Sequence, residues 1–414
     1  MKKLSATVLP AFMLAALSPD LYAAGFQVSE HSASGLGRAF SGEGAIADNA
    51  SVLARNPAAM TRFDTPSLSV SGTLIDPAIE VTFDSFSKGP QTAKDIAPVA
   101  YIPSAYFITP VNQKISAGVA LFSNYGVSTD YPDAFAPGSA AGNTSLTSVN
   151  INPNIAYDLN NKLSIGLGID LVYATAELGR HYGSLSPAMP SAKTINMEGT
   201  TFAWGWNAGL LFQPNETSRL GLTYRSQVDL DFNGDFTDYT GTITGSANKG
   251  KALKSDLTVV LPAIAEFSAY HEINKKWAFH YSLQWTEWSH FKELKATNPA
   301  CQSGSLHGVC FLKKEDYKNS VRYAVGTTYK LSKAWTLRAG YAVDEQAGKP
   351  TLSIPDTDRK WLTSGITYQS QYAWSIDAGF AYVFGATAHF QEEGDTFTSG
   401  GDAMLSSVQF NYAF

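Results

Sequence analysis

Alternation of apolar and polar residues with a period of two dominates the chain after about residue 66. Between residues 162 and 173 the apolar residues are Leu163, Ile165, Leu167, Ile169, Leu171 and Tyr173, and small or polar residues stand between them. Successive side chains of a β-strand point to opposite faces, so this pattern predicts a strand with one apolar face. The pattern recurs at 202–212, 277–285 and 374–384, with aromatic residues near the ends of the segments.

Fourteen segments of this kind follow one another along the chain. They begin near Ser67, Pro98, Ile115, Ser148, Leu163, Phe202, Leu220, Asp256, Trp277, Val321, Trp335, Trp361, Trp374 and Met404. Six short turns alternate with seven long connections, among them roughly Thr175 to Thr201 and Glu287 to Ser320. This layout is typical of a bacterial outer-membrane barrel, which has short periplasmic turns and longer external loops. Because lipid offers no hydrogen bonds, a spanning sheet must close on itself.

The predicted fold is therefore all-β, a fourteen-stranded antiparallel transmembrane β-barrel. A soluble β-helix or large sandwich is the alternative, but such folds bury the apolar face and seldom place a row of aromatic residues on it. Only 16% of the 414 residues are charged, against about a quarter in a typical soluble protein. The last strand alternates Val408, Phe410, Tyr412 and Phe414 with other residues. An aromatic carboxyl terminus of this kind is similar to the signal that the barrel-assembly machinery reads.

The first 23 residues predict a secretory signal peptide. Lys2 and Lys3 form a positive end, an apolar stretch runs from residue 6 to 17, and residues 21–23 offer a cleavage site. Removal of two Lys and one Asp with this peptide changes the formal net charge from −6 to −7. An acidic balance gives no support for nucleic-acid binding, which favours clustered Lys and Arg.

Two cysteines, Cys301 and Cys310, lie in a polar stretch. In an exported chain the default expectation is a disulfide that links the two ends of a loop. Zinc binding is the alternative, since His307 lies between them, but no fourth ligand is evident. We therefore predict a disulfide and no metal.

Residues 24–65 lack the alternation and are rich in Gly, Ala and Ser. Asn56, Pro57 and Ala58 suit the start of a helix, with Asn56 as the cap and Pro57 at the first helical position. The lumen of a fourteen-stranded barrel is too wide for its own side chains to fill. We predict that residues 24–65 form a hatch, or plug, inside a barrel made of residues 66–414.

Several motifs resemble the FadL family of long-chain fatty acid outer-membrane transporters, and their order and spacing extend over essentially the whole mature chain. They are Phe26-Gln27, residues 34–48, Arg55 to Ala58, Ser123 to Gly126, residues 354–359 and residues 411–414. The resemblance implies a hatch that carries the sequence Asn56-Pro57-Ala58. It also implies a side opening at an inward kink of the third strand, formed by Ser123, Asn124, Tyr125 and Gly126. Gly126 permits the backbone excursion that such a kink requires.

The resemblance also implies roles for individual side chains. Arg180 and Lys313 match the positions that hold the fatty acid carboxylate, and Lys314 is a substitute for Lys313. Asp344 matches a position that couples the barrel wall to the hatch. Phe26 lies near the mature amino terminus that shifts on ligand binding, or packs inside the plug. Tyr106 stands where some relatives carry a histidine, so no role of that histidine is transferred.

The predicted function is uptake of long-chain fatty acids by passive, ligand-gated diffusion, with lateral exit near the kinked third strand. Uptake of other hydrophobic compounds, such as aromatic hydrocarbons, is the alternative; the cationic residues favour a carboxylated ligand. An enzyme is disfavoured because there is no GxSxG element and the seven histidines lack metal-ligand spacing. A hydrophilic porin is disfavoured by the hatch. We expect no cofactor, a monomer, and contact with outer-membrane lipid and lipopolysaccharide.

Overall fold

The architecture is described from a computed structural model, which covers residues 25–85, 87 and 89–414; the predicted signal peptide lies outside the described residues. In these ranges the strands β1 to β21 span Ser67–Phe83, Gln91–Ala93, Ala100–Pro110, Ile115–Phe122, Gly126–Asp130, Asn143–Asn160, Leu163–His181, Lys193–Asn215, Ser218–Arg225, Val228–Asp238, Ala252–Leu261, Ile264–Glu272, Trp277–Thr286, Glu293–Ser303, Leu306–Lys314, Ser320–Lys330, Trp335–Asp344, Arg359–Gln369, Trp374–Gly385, Ala388–Glu392 and Asp395–Ala413. The helices α1 and α2 span Ala33–Leu36 and Glu43–Ile46, and short 3-10 helices span Ala50–Ala54, Pro57–Arg62, Gly183–Leu185, Ser246–Asn248 and Trp288–His290. None of the helices in the described ranges has the length and apolarity needed to cross a membrane.

The strands form one closed antiparallel barrel. Five barrel strands are each interrupted, so β4/β5, β9/β10, β11/β12, β13/β14 and β15/β16 are pairs of segments that continue one another, while β2 and β20 are short loop strands. Within the described part of the chain this arrangement makes fourteen barrel strands. The barrel closes where β1 pairs with β21, from Ser67 opposite Ala413 to Phe83 opposite Phe397. The predicted fourteen-stranded antiparallel barrel is confirmed.

The two faces of the wall differ as the alternation predicts. On β8 the side chains of Phe202 and Trp204 are 79% and 72% exposed on the outer surface. On the neighbouring β7, Asp170 and Val172 point inward and are buried. Apolar side chains are stable on the outer surface because the bilayer, not water, surrounds it.

Some long connections contain more strand than predicted. β14 and β15 lie within the predicted loop at 287–320, β8 begins at Lys193 instead of near Phe202, and β21 begins at Asp395 instead of near Met404. Parts of the predicted long connections are therefore strands that extend the barrel wall. Apolar alternation ends where the lipid ends, whereas backbone hydrogen bonding between strands continues above the membrane. The cysteines lie in this region, where Cys301 of β14 and Cys310 of β15 form a disulfide with an S–S distance of 2.08 Å.

Residues 25–65, which we call the hatch, fold inside the barrel. Helix α1 packs against β18, β19 and β21, and helix α2 packs against β9 and β12. The 3-10 helix Pro57–Arg62 packs against β6, β7 and β8. Nearly all hatch residues are buried, so the region fills the lumen at the level of the spanning strands.

Candidate functional site

Arg180 and Lys313 converge on one serine. Arg180 lies near the outer end of β7, Lys313 lies in β15, and Ser353 lies in the connection between β17 and β18. The Oγ atom of Ser353 accepts hydrogen bonds from an Arg180 guanidinium nitrogen at 2.7 Å and from the Lys313 Nζ at 2.9 Å. The structure therefore brings both predicted carboxylate-binding residues together at a single point.

The guanidinium of Arg180 is buried, with 2% of the residue exposed. Its other hydrogen bonds go to neutral oxygens, namely the carbonyls of Asn143 at 3.0 Å and Gly179 at 2.8 Å and the hydroxyl of Thr144 at 3.4 Å. Among the described residues, Arg180 forms no ion pair with a carboxylate. The carboxylates of Glu392, Glu393 and Glu315 act on the Arg180 charge from beyond ion-pair distance. An anion bound directly to the guanidinium would offset more of the cost of burying this charge.

Lys313 has a carboxylate partner. Its Nζ lies 2.8 Å from Oε1 of Glu392, whose other oxygen accepts a hydrogen bond from the Leu352 backbone N–H at 2.7 Å. These groups border a polar cavity of about 620 Å³, which is also lined by Arg180 and by the exposed Lys314. Glu315 lines the same cavity, and burial raises the pKa of its carboxyl to about 7.

An apolar chamber lies beside the Arg180 site. Its lining includes Phe26, Val127, Leu146, Leu178, Met197, Phe232, Leu257, Val259, Phe291, Leu294 and Ile354. Thr144, which hydrogen-bonds Arg180, and Ile354, which follows Ser353, also line it. The chamber has a volume of about 70 Å³. One water molecule takes about 30 Å³ of liquid, so a long hydrocarbon chain fits only if the lining side chains move.

Phe26 separates the apolar chamber from a second cavity. Its ring packs against Trp288 at 4.7 Å, Phe291 at 5.2 Å and Tyr125 at 5.9 Å between centroids. The second cavity, which we call the side cavity, has a volume of about 310 Å³ and reaches β1, β3 and β5. Phe26, Val127, Leu146 and Ile354 line both spaces, so the two cavities adjoin each other at these four side chains.

The side cavity borders a break in the barrel wall. β3 pairs with β4 from Ala105 to Pro110, while β5 pairs with β6. In the described chain no ladder joins β3 to β5, so the residues of β3 before Ala105 face an unpaired stretch. The kink residues Ser123, Asn124 and Tyr125 separate β4 from β5, and β5 begins at Gly126.

The kink is hydrogen-bonded to the amino-terminal end of the hatch. The Val28 N–H donates to the Asn124 carbonyl at 2.7 Å, and the Gly126 N–H donates to the Phe26 carbonyl at 3.0 Å. The Nε2 atom of His31 lies 2.9 Å from the Ser123 carbonyl oxygen. The Tyr125 side chain crosses the lumen, and its hydroxyl donates to the Pro262 carbonyl at 2.8 Å. Strand β4/β5 therefore bends into the barrel toward residues 26–31.

Asp356 accepts a hydrogen bond from Gly25, the first residue that the structure describes. Its Oδ2 accepts a hydrogen bond from the Gly25 N–H at 2.9 Å, and its Oδ1 lies 3.3 Å from a guanidinium nitrogen of Arg359. Burial raises the pKa of Asp356 to about 6, although the Arg359 charge acts in the opposite direction. The connection that carries Ser353 therefore also carries the tether of the amino-terminal segment.

The Asn56-Pro57-Ala58 sequence lies against the wall at two glycines. The Asn56 Oδ1 accepts from the Ala58 N–H at 3.0 Å, as an N-cap does, and its amide donates to the carbonyls of Gly44 at 2.6 Å and Leu210 at 3.0 Å. A Cβ atom at Gly209 would lie 2.0 Å from the Asn56 Oδ1, and one at Gly166 would lie 2.4 Å from the Ala58 nitrogen. Both wall positions need glycine because the hatch approaches so closely.

Ion pairs that are wholly or partly buried hold the rest of the hatch. Arg38 pairs with Glu43 at 2.5 Å and with Asp48 at 2.8 Å, and Asp48 also meets Arg338 of β17 at 3.1 Å. Arg55 pairs with Glu266 of β12 at 3.1 Å.

Asp344 is connected to the hatch through Arg322. Its carboxylate lies 2.6 Å from the Arg322 Nε and accepts a hydrogen bond from the Trp361 indole at 2.8 Å. Arg322 in turn donates to the Ala39 carbonyl of the hatch at 3.1 Å. The wall contact of Asp344 with the hatch therefore passes through Arg322.

Two residues of the site were missed from the sequence, and a third, Tyr106, was named without a role. Ser353 directly precedes the motif at 354–359, which is the signal that could have found it; Glu392 lies in β20, within a segment that has no recognisable pattern. Tyr106 donates its hydroxyl to the His31 carbonyl at 2.9 Å, an oxygen that also accepts from Ser104 and Ser71. Tyr106 thus helps to fix the hatch to β3.

A closed barrel with an apolar outer surface, filled from within by its own amino-terminal region, defines the class of outer-membrane transport barrels. A family model described as "Outer membrane protein transport protein (OMPP1/FadL/TodX)" matches residues 14–414. The chain belongs to this family.

Its relatives cover nearly the whole chain. It is 39% identical over 441 residues to the long-chain fatty acid transport protein of Escherichia coli (strain K12), covering 98% of this chain and 97% of the relative. It is 37% identical over 471 residues to outer membrane protein P1 of Haemophilus influenzae (strain Rd), covering 100% of both.

Two solved structures share the fold. A Pseudomonas aeruginosa FadL homologue has a TM-score of 0.82 at 21% identity, with 94% of this chain and 100% of that chain covered. The Pseudomonas putida toluene transporter TodX has a TM-score of 0.67 at 17% identity, with 95% and 99% covered.

Proposed function

We propose that this protein takes up long-chain fatty acids across the outer membrane by passive, ligand-gated diffusion. Relatives that carry the name long-chain fatty acid transport protein are 38–40% identical to this chain over nearly its whole length. The observation that carries the proposal is the Arg180 guanidinium, which is buried without an ion-pair partner in the described chain and lies next to an apolar chamber. A ligand with one carboxylate and a long apolar tail matches both features.

The energetics of the tail support a route without an energy source. Each methylene removed from water contributes about 0.8 kcal/mol, so a sixteen-carbon tail contributes on the order of 10 kcal/mol. Release sideways into the bilayer spares the tail a return to water. We infer that the tail enters the apolar chamber, displaces Phe26, passes into the side cavity and leaves through the unpaired stretch between β3 and β5.

Uptake of a neutral aromatic hydrocarbon is the alternative, since a toluene transporter shares the fold. A neutral ligand gains little from two cations that converge on one serine hydroxyl. The charge of the site therefore favours a carboxylated ligand.

The test compares a fatty acid with an uncharged analogue of the same length. We expect Arg180→Ala and Lys313→Ala each to weaken palmitate binding to the purified protein by about 10- to 100-fold, because each removes a charge-assisted hydrogen bond. Hexadecanol binding, measured in the same detergent by isothermal titration calorimetry, is expected to change by less than about threefold. Lys295→Ala, an exposed lysine of β14, is the matched control. Unchanged palmitate binding in both site variants would refute the head-group assignment.

Remaining features of the proposal concern assembly and surroundings. We infer that the protein has no catalytic role and acts as a monomer. The last strand, β21, with the Phe414 that follows it, is expected to be recognised by the barrel-assembly machinery, and the external loops are expected to contact lipopolysaccharide. Cross-linking of the protein in intact membranes tests the monomer.

A further inference from the structure

The Lys313 ammonium already holds a carboxylate in this structure. Glu392 lies at the end of β20, and its Oε1 is 2.8 Å from the Lys313 Nζ, with 11% of the Lys313 side chain and 14% of the Glu392 side chain exposed. The Lys313 Nζ also donates a hydrogen bond at 2.9 Å to the Oγ atom of Ser353, which accepts a second hydrogen bond from Arg180. Glu392 therefore occupies the place that a ligand carboxylate would take on Lys313.

The second oxygen of Glu392 holds the connection between β17 and β18, which we call the β17–β18 loop. Its Oε2 accepts a hydrogen bond at 2.7 Å from the Leu352 backbone N–H, and Leu352 is fully buried. The next residues of the loop connect to the amino-terminal segment, since Ile354 packs in the same apolar cluster as Phe26 and Asp356 accepts from the Gly25 N–H at 2.9 Å. The β17–β18 loop thus links Glu392 to Phe26, which lines both the apolar chamber and the side cavity.

We propose that Glu392 is a built-in competitor which the carboxylate of a ligand displaces from Lys313, so that only charged amphiphiles release the β17–β18 loop and, through it, Phe26. The inference rests on the proposed function and adds a specificity-determining residue to it. Two carboxylates cannot share one ammonium without repulsion, so the arrival of the ligand head group expels Glu392. The polar cavity of about 620 Å³ beside Lys313 gives the displaced side chain room to reach water.

Displacement of Glu392 by the ligand carboxylate explains how the protein can discriminate between charged and neutral amphiphiles without a rigid lid. A neutral amphiphile gains its tail energy in either arrangement but has no charge with which to replace Glu392. A ligand shifts a conformational equilibrium only through its differential affinity for the two states. The carboxylate supplies that difference, because it binds Lys313 only in the state in which Glu392 has left.

The first arm of the test measures affinity in the full-length protein. We expect Glu392→Gln to bind palmitate about tenfold more tightly than the wild type, because the competitor has lost its charge. Hexadecanol binding is expected to stay the same. Glu216→Gln is the matched control, since it removes the same charge from an exposed residue in the turn between β8 and β9. Equal palmitate affinity in Glu392→Gln and Glu216→Gln, or weaker binding in Glu392→Gln, would overturn the proposal.

The second arm follows the loop in the wild-type protein by hydrogen exchange. Saturating palmitate is expected to raise amide exchange at Leu352 and Gly25, whereas saturating hexadecanol leaves both protected. Equal protection with the two ligands would overturn the coupling. If Lys313→Ala weakens palmitate binding while Glu392→Gln does not tighten it, the proposed function stands and this inference fails. If neither Arg180→Ala nor Lys313→Ala changes palmitate binding, the proposed function itself fails.

Discussion

The hatch contains two regions that are held in different ways. Its body is fixed by charge, since Arg38 pairs with Glu43 and Asp48, and Arg55 pairs with Glu266 on the wall. Residues 25–31, the amino-terminal segment, are held by hydrogen bonds to the kink, by the hydrogen bonds that the His31 carbonyl accepts from β1 and β3, by the Asp356 tether and by the packing of Phe26.

The two regions of the hatch therefore differ in the free energy that is needed to displace them. Breaking a buried ion pair leaves an uncompensated charge, which costs several kcal/mol. Backbone hydrogen bonds can be exchanged for bonds to water at a small net cost. We therefore propose that the body of the hatch keeps its place in the lumen and that a ligand displaces the amino-terminal segment.

Replacing Arg38 by Met gives the largest expected effect. The free energy of unfolding should fall by about 3–5 kcal/mol, because Glu43 is left buried without its partner. Urea unfolding in detergent measures the loss, and planar-bilayer conductance is expected to rise as the hatch loosens. Arg62→Met is the control, an exposed arginine of the same region that should change stability by less than about 0.5 kcal/mol. A loss as small as that of the control would mean that the hatch body is not held by charge.

The pH dependence of the Asp356 tether is the second prediction. The pKa of Asp356 is raised to about 6 in the fold by burial and is about 3.9 in an unfolded chain. The contribution of this group to stability is therefore fully present below pH 4 and is lost as the pH rises through 6. We expect the wild type to lose about 2 kcal/mol more than Asp356→Asn between pH 4 and pH 7.

Urea titrations of both proteins at several pH values measure this difference. The charges of Arg359 and Asp344 also shift the pKa of Asp356. These two residues must therefore be unchanged in both the wild type and the Asp356→Asn variant. Parallel pH profiles for the wild type and Asp356→Asn would show that the tether does not titrate in this range.

Blocking the side cavity tests the route that the movable segment opens. Ala100 lines this cavity on β3, and Ala100→Trp should reduce fatty acid uptake by cells about tenfold while palmitate binding in detergent changes little. Ala339→Trp places the same ring on the outer face of β17 as a control. Normal uptake by the Ala100 variant would count against lateral exit between β3 and β5.

The contact of Asn56 with the wall is expected to give the smallest effect. Asn56→Ala loses a helix cap and the amide hydrogen bonds to the Leu210 carbonyl of the wall and the Gly44 carbonyl. Asn49→Ala loses a cap and an amide hydrogen bond to Ser34 within the hatch. The first variant should be about 1 kcal/mol less stable than the second. Identical unfolding midpoints in urea would assign the role of Asn56 to capping alone.

The barrel could be predicted because each spanning strand shows the alternation of apolar and polar residues within its own sequence. A segment such as Leu163 to Tyr173 alternates whether or not its partners are known, since lipid on one side and the lumen on the other act on every residue. The strand segments above the membrane, such as β14 and β15, lack that difference between the faces and were missed.

The sequence by itself determined the number of spanning strands, their antiparallel order and the presence of a small-residue region ahead of them, because these features follow from local periodicity and composition. Only the tertiary structure decided that Ser353 accepts hydrogen bonds from both Arg180 and Lys313, and that Glu392 forms an ion pair with Lys313. It also decided that Phe26 lines both the apolar chamber and the side cavity. The polar contacts among these residues join positions that are 40 to 173 residues apart in the sequence. No periodic pattern encodes such contacts, since they depend on how the closed barrel folds its loops and amino terminus into one lumen.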